Sequence, residues 1–309
     1  MLYDSDTNLV TASSPTFKER HDAQHSPIEL PWPPTGPRSR LMSRQSYQGL
    51  TLSREHAGVL QVTLDRPEKF NALTFDMFDS IRDLCADLEG DNETRAVVLT
   101  GAGRGFCGGL DLEAVAQLLE MSPYEFLRGQ EKWAGAALAL RRLTTPVIAA
   151  VNGAAAGAGL SLALACDIRI ASTRAKFNAA FIRVGLTGGD MGSSWLLPRI
   201  VGAGIANELL LTGRFVDSQE ALRIGLVNRV CEPDQLLEAA YEIADAIAAN
   251  SPFGVRLTKQ VIQANLGAGS LEQGIELENR NQALTAATND MREALEAFTN
   301  RRTPNFTGT

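Results

Sequence analysis

The spacing of apolar residues predicts strands that alternate with helices along most of this chain. Residues 49–53 and 59–64 fit a strand pair, and the apolar run at residues 96–100 fits a buried strand. Between them, apolar side chains recur at helical spacing over residues 74–89, where Thr74 occupies the N-cap position. Strands that alternate with helices predict an α/β fold with a mostly parallel sheet.

The same alternation continues through the middle of the chain and then stops. A helix is predicted over residues 122–142, a strand from residue 147, a helix at 158–166 and a strand at 167–171. From residue 233 the apolar pattern is helical only, which predicts a C-terminal region of four helices. These helices are predicted at residues 233–250, 252–265, 270–289 and 291–300.

The first 45 residues differ in composition from the rest of the chain. They are rich in Ser, Pro, Thr and Arg, and the stretch LPWPPTGPRSR contains four prolines, which disfavour helices and central strands. No basic start followed by an apolar core is present, so no secretory signal is predicted. We predict a disordered extension at residues 1–45, a core domain at 46–232 and a helical oligomerisation region at 233–309, with Met42 as an alternative start of translation.

Charge and residue usage argue against several classes of function. The net charge of −7 disfavours a general nucleic-acid-binding role, and no apolar run is long enough to cross a bilayer. The four cysteines form no C-x-x-C pair, which favours free thiols in a reducing, cytoplasmic compartment. The three histidines all lie at or before residue 56, which disfavours a Ser–His triad or a zinc site. We therefore expect no nucleic acid, membrane or metal partner.

Two glycine-rich turns carry the candidate chemistry. The first, GAGRGFCGGLDL at residues 101–112, follows the predicted strand at 96–100. The second, at residues 152–160, lies in the same arrangement of apolar strand, small-residue turn and helix start. Glycine leaves backbone N–H groups unobstructed, so two such turns brought together would aim two N–H groups at one oxygen. That arrangement is an oxyanion hole and suits chemistry through a thioester enolate.

Two other interpretations of the first turn remain open. Residues 103–108 fit the G-x-G-x-x-G pattern of a dinucleotide-binding loop, although no acidic residue ends a second strand about twenty residues further on. Cys107 is a conceivable nucleophile, but no histidine lies near it in the sequence. A buried structural thiol is the favoured interpretation of Cys107.

A series of motifs resembles those of the crotonase superfamily, the enoyl-CoA hydratase/isomerase family. The glycine turns contain FCGGLDL and NGAAAGAGL, and RPEKFNALT at residues 66–74 resembles the segment that cradles the coenzyme A nucleotide. FNAAFIRVGL, LPRIVG and AFTNRRTPNF continue the match, which spans residues 47–306. The resemblance implies a spiral of β-β-α repeats whose C-terminal helical region packs across subunits in a trimer. It also implies an enzyme that processes coenzyme A thioesters and holds no permanently bound cofactor.

The resemblance assigns roles to residues of the two turns. The backbone N–H groups of Leu110 and Ala158 would form the oxyanion hole, and Asp111 would hold the first turn in place. Ala158 replaces the family's middle glycine, but a backbone donor needs glycine only where φ is positive. The residues expected to contact the substrate or its coenzyme A group are Arg66, Lys69, Ala72, Leu73, Phe106, Gly108, Gly109, Leu110, Asp111, Leu112, Trp133, Gly157, Ala158, Ser161, Phe181, Phe298 and Arg301. Phe298 and Arg301 would reach the coenzyme A of a neighbouring subunit.

Departures from the family pattern bear on the reaction. Hydratases of this family use two glutamates, and the matching positions here hold Ser161 and Phe181, neither of which can act as a general base. Asp190 resembles the aspartate of an A-D-x-G segment in dienoyl-CoA isomerases and acyl-CoA hydrolases, which makes it the candidate acid/base. Alternatively, Asp190 caps the helix that begins near Ser193. Glu131, on a predicted helix, is a further candidate.

These expectations define a cytoplasmic enzyme of hydratase/isomerase type, a lyase or isomerase, that acts on an acyl-CoA as a trimer or a dimer of trimers. The alternatives are a dienoyl-CoA isomerase or an acyl-CoA hydrolase that uses Asp190, and a non-catalytic acyl-CoA-binding protein that kept the oxyanion hole. The apolar side chains of Phe181 and Trp133 favour an apolar acyl group.

Overall fold

The computed structural model describes residues 46–309, so the expectations for residues 1–45 lie outside the described residues. The strands are β1 (Leu50–Ser53), β2 (Val59–Leu64), β3 (Ala96–Gly101), β4 (Gly105–Cys107), β5 (Val147–Val151), β6 (Ala154–Ala156), β7 (Ile168–Ser172), β8 (Lys176–Asn178), β9 (Val216–Asp217) and β10 (Arg229–Cys231). The helices are α1 (Phe75–Glu89), α2 (Leu112–Glu120), α3 (Pro123–Arg142), α4 (Ala158–Ala165), α5 (Ser193–Val201), α6 (Ala203–Thr212), α7 (Ser218–Arg223), α8 (Leu236–Ala248), α9 (Pro252–Asn265), α10 (Leu271–Ala286) and α11 (Asn289–Thr299). Within residues 46–309, no helix has the length and apolar character needed to span a membrane.

The strands of the described chain form two sheets that the backbone visits in turn. The larger sheet has the order β1-β2-β3-β5-β7-β10, and in it only the β1–β2 pair is antiparallel. The smaller sheet has the order β4-β6-β8-β9. Each central strand of the larger sheet, β3, β5 and β7, is followed directly by a strand of the smaller sheet, β4, β6 and β8. The predicted α/β fold with a mostly parallel sheet is confirmed.

The strands that lead into the glycine turns are buried on both faces. Every residue of β3 and β5 is buried. Side chains alternate between layers, so Ala96 and Val98 pack in the cluster that contains α8, whereas Val97 and Leu99 pack in the cluster that contains α1 and α3. Because β3 and β5 run parallel, both glycine turns leave the same edge of the sheet.

Helices α1 and α2 both begin directly after a capping residue, although only α1 is among the predicted helices. Helix α1 begins after Thr74, whose hydroxyl oxygen accepts a hydrogen bond from the Met77 N–H at 3.3 Å, as predicted. Helix α2 is not among the predicted helices, although Leu112, Val115 and Leu119 recur at helical spacing; in the structure all three side chains are exposed. Its sequence signal is Asp111, which is the N-cap.

The chain ends in four helices, α8 to α11, as predicted. The first begins at Leu236 rather than at residue 233, because residues 233–235 form a turn. Lys259 of α9 fastens this region to the core, with its Nζ 2.6 Å from Asp167 Oδ2 and donating to the Thr145 carbonyl at 3.0 Å. The domain boundary at residue 233 stays a prediction.

Candidate functional site

The two glycine turns lie against each other through their backbones. Strands β4 and β6 pair in parallel, which places Gly105 opposite Ala154. Gly109 has a φ of +102°, and a Cβ atom on it would lie 3.0 Å from the Ala156 carbonyl oxygen and 3.9 Å from the Ala158 nitrogen. The glycine is needed here both for its conformation and for this close approach.

Both predicted oxyanion donors lie where a backbone N–H is left free. Leu110 sits between two bonds to Leu73, whose N–H donates to the Gly109 carbonyl at 2.7 Å and whose carbonyl accepts from the Asp111 N–H at 2.9 Å. Ala158 is the first residue of α4, where an N–H has no acceptor within its own helix. Among residues 46–309, neither N–H group has a protein acceptor. A helix N-terminus also favours negative charge, so the pair can hold an oxyanion.

Asp111 braces the first turn from inside. Its Oδ2 lies 2.8 Å from Arg66 Nη1, which also donates to the Ala72 carbonyl at 2.6 Å, and its Oδ1 accepts from the Glu113 N–H at 2.9 Å. Burial raises the pKa of Asp111, but the Glu113 N–H and the Arg66 guanidinium outweigh it, so the net pKa lies below its usual range. A carboxylate held in its charged form by these partners suits a structural role. The predicted contact of Arg66 with coenzyme A stays a prediction.

Asn71 is a site residue that is not among those predicted from the sequence, although it lies within the stretch RPEKFNALT. Its Oδ1 accepts from the Arg66 N–H at 2.9 Å, and its Nδ2 donates to the Ala102 and Gly105 carbonyls at 2.9 and 2.7 Å. The side chain is fully buried, and its backbone φ is +56°, a conformation that Asn tolerates better than most residues. Its signal in the sequence is its place in the stretch RPEKFNALT at residues 66–74, which resembles the family's coenzyme A segment. Asn71 thus ties the segment that precedes α1 to the glycine turn.

Asp190 lies in the loop before α5, next to the second turn. The Ser161 hydroxyl, one helical turn into α4 from Ala158, donates to the Asp190 carbonyl at 3.1 Å. The Asp190 Oδ1 accepts from the Met191 N–H at 2.7 Å and from Gln130 Nε2 of α3. Burial raises the pKa of Asp190, although the N–H groups of Met191 and Gln130 act to lower it. A carboxyl group with a raised pKa is suited to proton transfer.

The interpretation of Asp190 as a helix cap is wrong. The N-cap of α5 is Gly192, with a φ of +86° and no side-chain cap, and the Asp190 side chain turns back to Met191 instead. Glu131, the other candidate carboxylate, is exposed on α3 and pairs with Arg128 at 2.7 Å.

The side chains at the two positions where the resemblance expects glutamates are both buried. Ser161 is completely buried. Phe181 lies beside the second turn, since a Cβ atom on Gly157 would be 3.5 Å from its ring. Trp133 is buried and stacks on Phe75 with ring centroids 4.2 Å apart, and Phe126 meets it edge-on. The aromatic rings of Phe181, Trp133, Phe75 and Phe126 give the surroundings of α3 and α4 an apolar character.

The remaining predicted residues fall into buried and exposed groups. Phe106 is buried and Gly108 is exposed in the first turn, whereas Lys69 is exposed with its Nζ 3.6 Å from Glu113. Phe298 is 86% exposed at the end of α11, and Arg301 follows it on the surface. Their contact with a neighbouring subunit stays a prediction.

Both alternative interpretations of the first turn are weakened by its structure. Residues 105–107 form strand β4, so the helix that must open inside a dinucleotide-binding G-x-G-x-x-G motif is missing at this point of the described chain. Burial raises the pKa of the Cys107 thiol to about 12, which leaves almost no thiolate near neutral pH.

Comparison with known proteins identifies the family to which this chain is similar. The sequence model of the enoyl-CoA hydratase/isomerase family matches residues 54–309. A protein named "Probable enoyl-CoA hydratase EchA12" from Mycobacterium tuberculosis is 44% identical over 254 residues, which cover 81% of this chain and 89% of that protein. The crystal structure of a probable enoyl-CoA hydratase/isomerase from Mycobacterium abscessus is similar with a TM-score of 0.77 at 43% identity, covering 84% of this chain and 98% of that one.

A second crystal structure, of a monofunctional enoyl-CoA isomerase from Mycobacterium smegmatis, is similar with a TM-score of 0.62 at 46% identity. The match covers 74% of this chain and 98% of that one. Together with the alternation of the two sheets, these similarities confirm the spiral fold that the motifs implied.

Proposed function

Because this chain belongs to the enoyl-CoA hydratase/isomerase family, and is therefore an acyl-CoA-processing enzyme, we propose that it shifts the double bond of an enoyl-CoA with Asp190 as its single acid/base. The observation that carries the proposal is the position of Asp190. Its carbonyl is bonded to Ser161 on α4, the helix whose first N–H group, at Ala158, is a predicted oxyanion donor.

The proposed reaction needs one carboxylate and two N–H donors. With a 3-enoyl-CoA as substrate, Asp190 takes a proton from carbon 2, and the electron pair of the broken C–H bond moves into a dienolate. The N–H groups of Leu110 and Ala158 stabilise the negative charge on the thioester oxygen. Asp190 then returns the proton to carbon 4, which yields the 2-enoyl-CoA and restores the carboxylate. No water molecule and no second base take part, which is consistent with Ser161 and Phe181 at the two glutamate positions.

The names of similar proteins support two candidate reactions. The Mycobacterium smegmatis protein is described as a monofunctional enoyl-CoA isomerase, which agrees with a site that has a single acid/base. EchA12 is named a hydratase, so hydration of a 2-enoyl-CoA is the second candidate. Hydration must also activate water, and acid–base assistance typically contributes about 10²–10⁴-fold. We therefore expect slow hydration of crotonyl-CoA.

Asp190→Asn tests the proposal because it keeps the shape of the side chain and removes the base. The purified protein is screened with 3-enoyl-, dienoyl-, 2-enoyl- and 3-hydroxyacyl-CoA esters, and both kcat and KM are measured. We expect isomerisation to exceed hydration, and Asp190→Asn to lower kcat by about 10²-fold or more at nearly constant KM. Glu131→Gln, which breaks only the exposed pair with Arg128, separates the two candidate carboxylates.

Other outcomes select other functions. An Asp190→Asn variant as active as the wild type would remove Asp190 from the mechanism. Release of free coenzyme A would favour an acyl-CoA hydrolase, and binding of every ester without turnover would favour a non-catalytic acyl-CoA-binding protein. The cytoplasmic location and the lack of a permanently bound cofactor stay predictions.

A further inference from the structure

The Asp190 carboxylate has one engaged oxygen and one free oxygen. Oδ1 accepts two hydrogen bonds, from the Met191 N–H at 2.7 Å and from Gln130 Nε2. Oδ2 has no hydrogen-bond partner among residues 46–309. Two N–H donors on Oδ1 stabilise negative charge on that atom, so a proton that reaches this carboxylate binds Oδ2.

Gln130 is the contact that fixes the side chain rather than the backbone of Asp190. The backbone is held by two serines: Ser161 donates to the Asp190 carbonyl at 3.1 Å, and Ser193 Oγ accepts from the Asp190 N–H at 3.0 Å. Gln130 reaches the carboxylate from α3, 60 residues earlier in the chain. Its amide can present only Nε2 to Oδ1, because its own oxygen would oppose another acceptor.

The turn of α3 that carries Gln130 is itself fixed by packing. The Trp133 indole lies across Gly129, where a Cβ atom would come within 2.4 Å of Trp133 Cη2. The same indole stacks on Phe75 at the start of α1. Gly129 therefore makes room for an aromatic stack that holds the backbone next to Gln130 in place.

We propose that Gln130 is a positioning residue, which locks the Asp190 carboxylate so that Oδ2 is the atom that removes and returns the substrate proton. This inference rests on the proposed function, since it requires Asp190 to be the acid/base. The same oxygen then serves both halves of the double-bond shift, while Oδ1 remains a bonded anchor.

Among the described residues, no charged neighbour fixes the position or the pKa of the Asp190 carboxylate. Helix α4 carries no charged side chain. The charged side chains on the elements that surround Asp190 contact other partners. Arg128 pairs with Glu131 and Lys132 pairs with Asp79, whereas Arg183 lies over the Phe215 ring and Arg199 over the Trp195 ring. Burial and the N–H groups of Met191 and Gln130 are thus the influences on the pKa of Asp190.

Two near-isosteric variants test the role of Gln130. Gln130→Met removes the donor, and we expect kcat to fall by about 10-fold or more, with KM within about threefold of the wild type. The acid limb of the pH–rate profile should move to higher pH, because the Asp190 anion loses a donor. Gln130→Glu should move the limb further, since two adjacent carboxylates raise the pKa of one of them. Gln219→Met, at an exposed position of α7, is the matched control and should change neither quantity.

The outcomes separate this inference from the proposed function. If Asp190→Asn is inactive while Gln130→Met keeps the wild-type kcat and acid limb, the role of Gln130 is overturned and that of Asp190 stands. If Asp190→Asn is fully active, the proposed function fails, and the inference fails with it. In the expected case, adding Gln130→Met to Asp190→Asn lowers kcat no further, because the two residues act as one unit. A purely structural Gln130 would lower the melting temperature and leave the acid limb where it is.

Discussion

At the scale of single residues, the site is held by buried polar side chains, some bonded to the backbone and some, as in the Arg66–Asp111 and Gln130–Asp190 contacts, to each other. Asn71 ties two carbonyls of the first turn, and Ser161 ties the loop of Asp190. Such groups are costly to bury unless their hydrogen bonds are satisfied, so they specify one conformation of the turns. Their role is to aim backbone N–H groups, whereas Asp190 supplies the proton transfer that we propose.

Cys107 should be unreactive towards alkylating reagents, although it lies in the first turn. Burial raises the pKa of its thiol to about 12, so the reactive thiolate is scarce at pH 8. We expect iodoacetamide to leave Cys107 unmodified in the native protein, as read by mass spectrometry of its peptide, and the partly exposed Cys231 to react first. Cys107→Ala should keep turnover within about twofold and cost about 1 kcal/mol of stability. Alkylation of native Cys107 with loss of activity would reverse this view.

At the scale of elements, regular patterns were predictable from the sequence and short or long-range features were not. Helix α1 and strand β3 carry long apolar patterns with recognisable ends, and the structure confirms both. Strands β4, β6 and β8 have three residues each, which is too few to show a period. The contact between Gln130 and Asp190 joins residues 60 positions apart, and no local pattern encodes such a pair. The glycines of the two turns were predictable from the sequence, but the contacts between the two turns were not.

The approach of α4 to the first turn should depend on Gly159. A Cβ atom there would lie 2.2 Å from the Cys107 carbonyl oxygen, so Gly159→Ala must push the two turns apart. We expect a loss of about 2–3 kcal/mol of stability and a strong loss of turnover. Gly204→Ala in α6 is the matched control, because a Cβ atom there meets nothing within 4 Å. It should be neutral or stabilise by up to about 1 kcal/mol. Equal melting temperatures for both variants would contradict the close-packing argument.

At the scale of the whole molecule, the last two helices, α10 and α11, bury little of their surface in a single chain. Helix α10 has 16 residues, of which Gly274 alone is buried, and α11 buries only Asp290 and Ala297. Their large apolar side chains are exposed instead, namely Leu271, Ile275, Leu284, Met291, Leu295 and Phe298. A cavity of about 1020 Å³ also opens between the core and α9–α11, away from the glycine turns. Apolar surface of this extent indicates contact with another chain.

We therefore expect a trimer or a dimer of trimers in solution. Light scattering at micromolar concentration should give about three or six times the chain mass of 33.2 kDa. Leu284→Asp, at an exposed position in the last turn of α10, should lower the measured mass, because burying an unpaired charge at an interface is costly. Leu222→Asp on α7, with a similarly exposed leucine outside the helical region, should leave the mass unchanged.

The kinetics of the dissociated Leu284→Asp variant should show whether a neighbour completes the substrate site. If Phe298 and Arg301 reach the coenzyme A of the next subunit, as the resemblance implies, dissociation removes binding contacts that are distant from the reacting carbons. Such a loss raises KM and leaves kcat nearly constant, because contacts made equally in the ground and transition states affect binding alone. A wild-type monomer by light scattering would refute the assembly. A dissociated variant with unchanged KM would instead keep the assembly and remove Phe298 and Arg301 from the binding site.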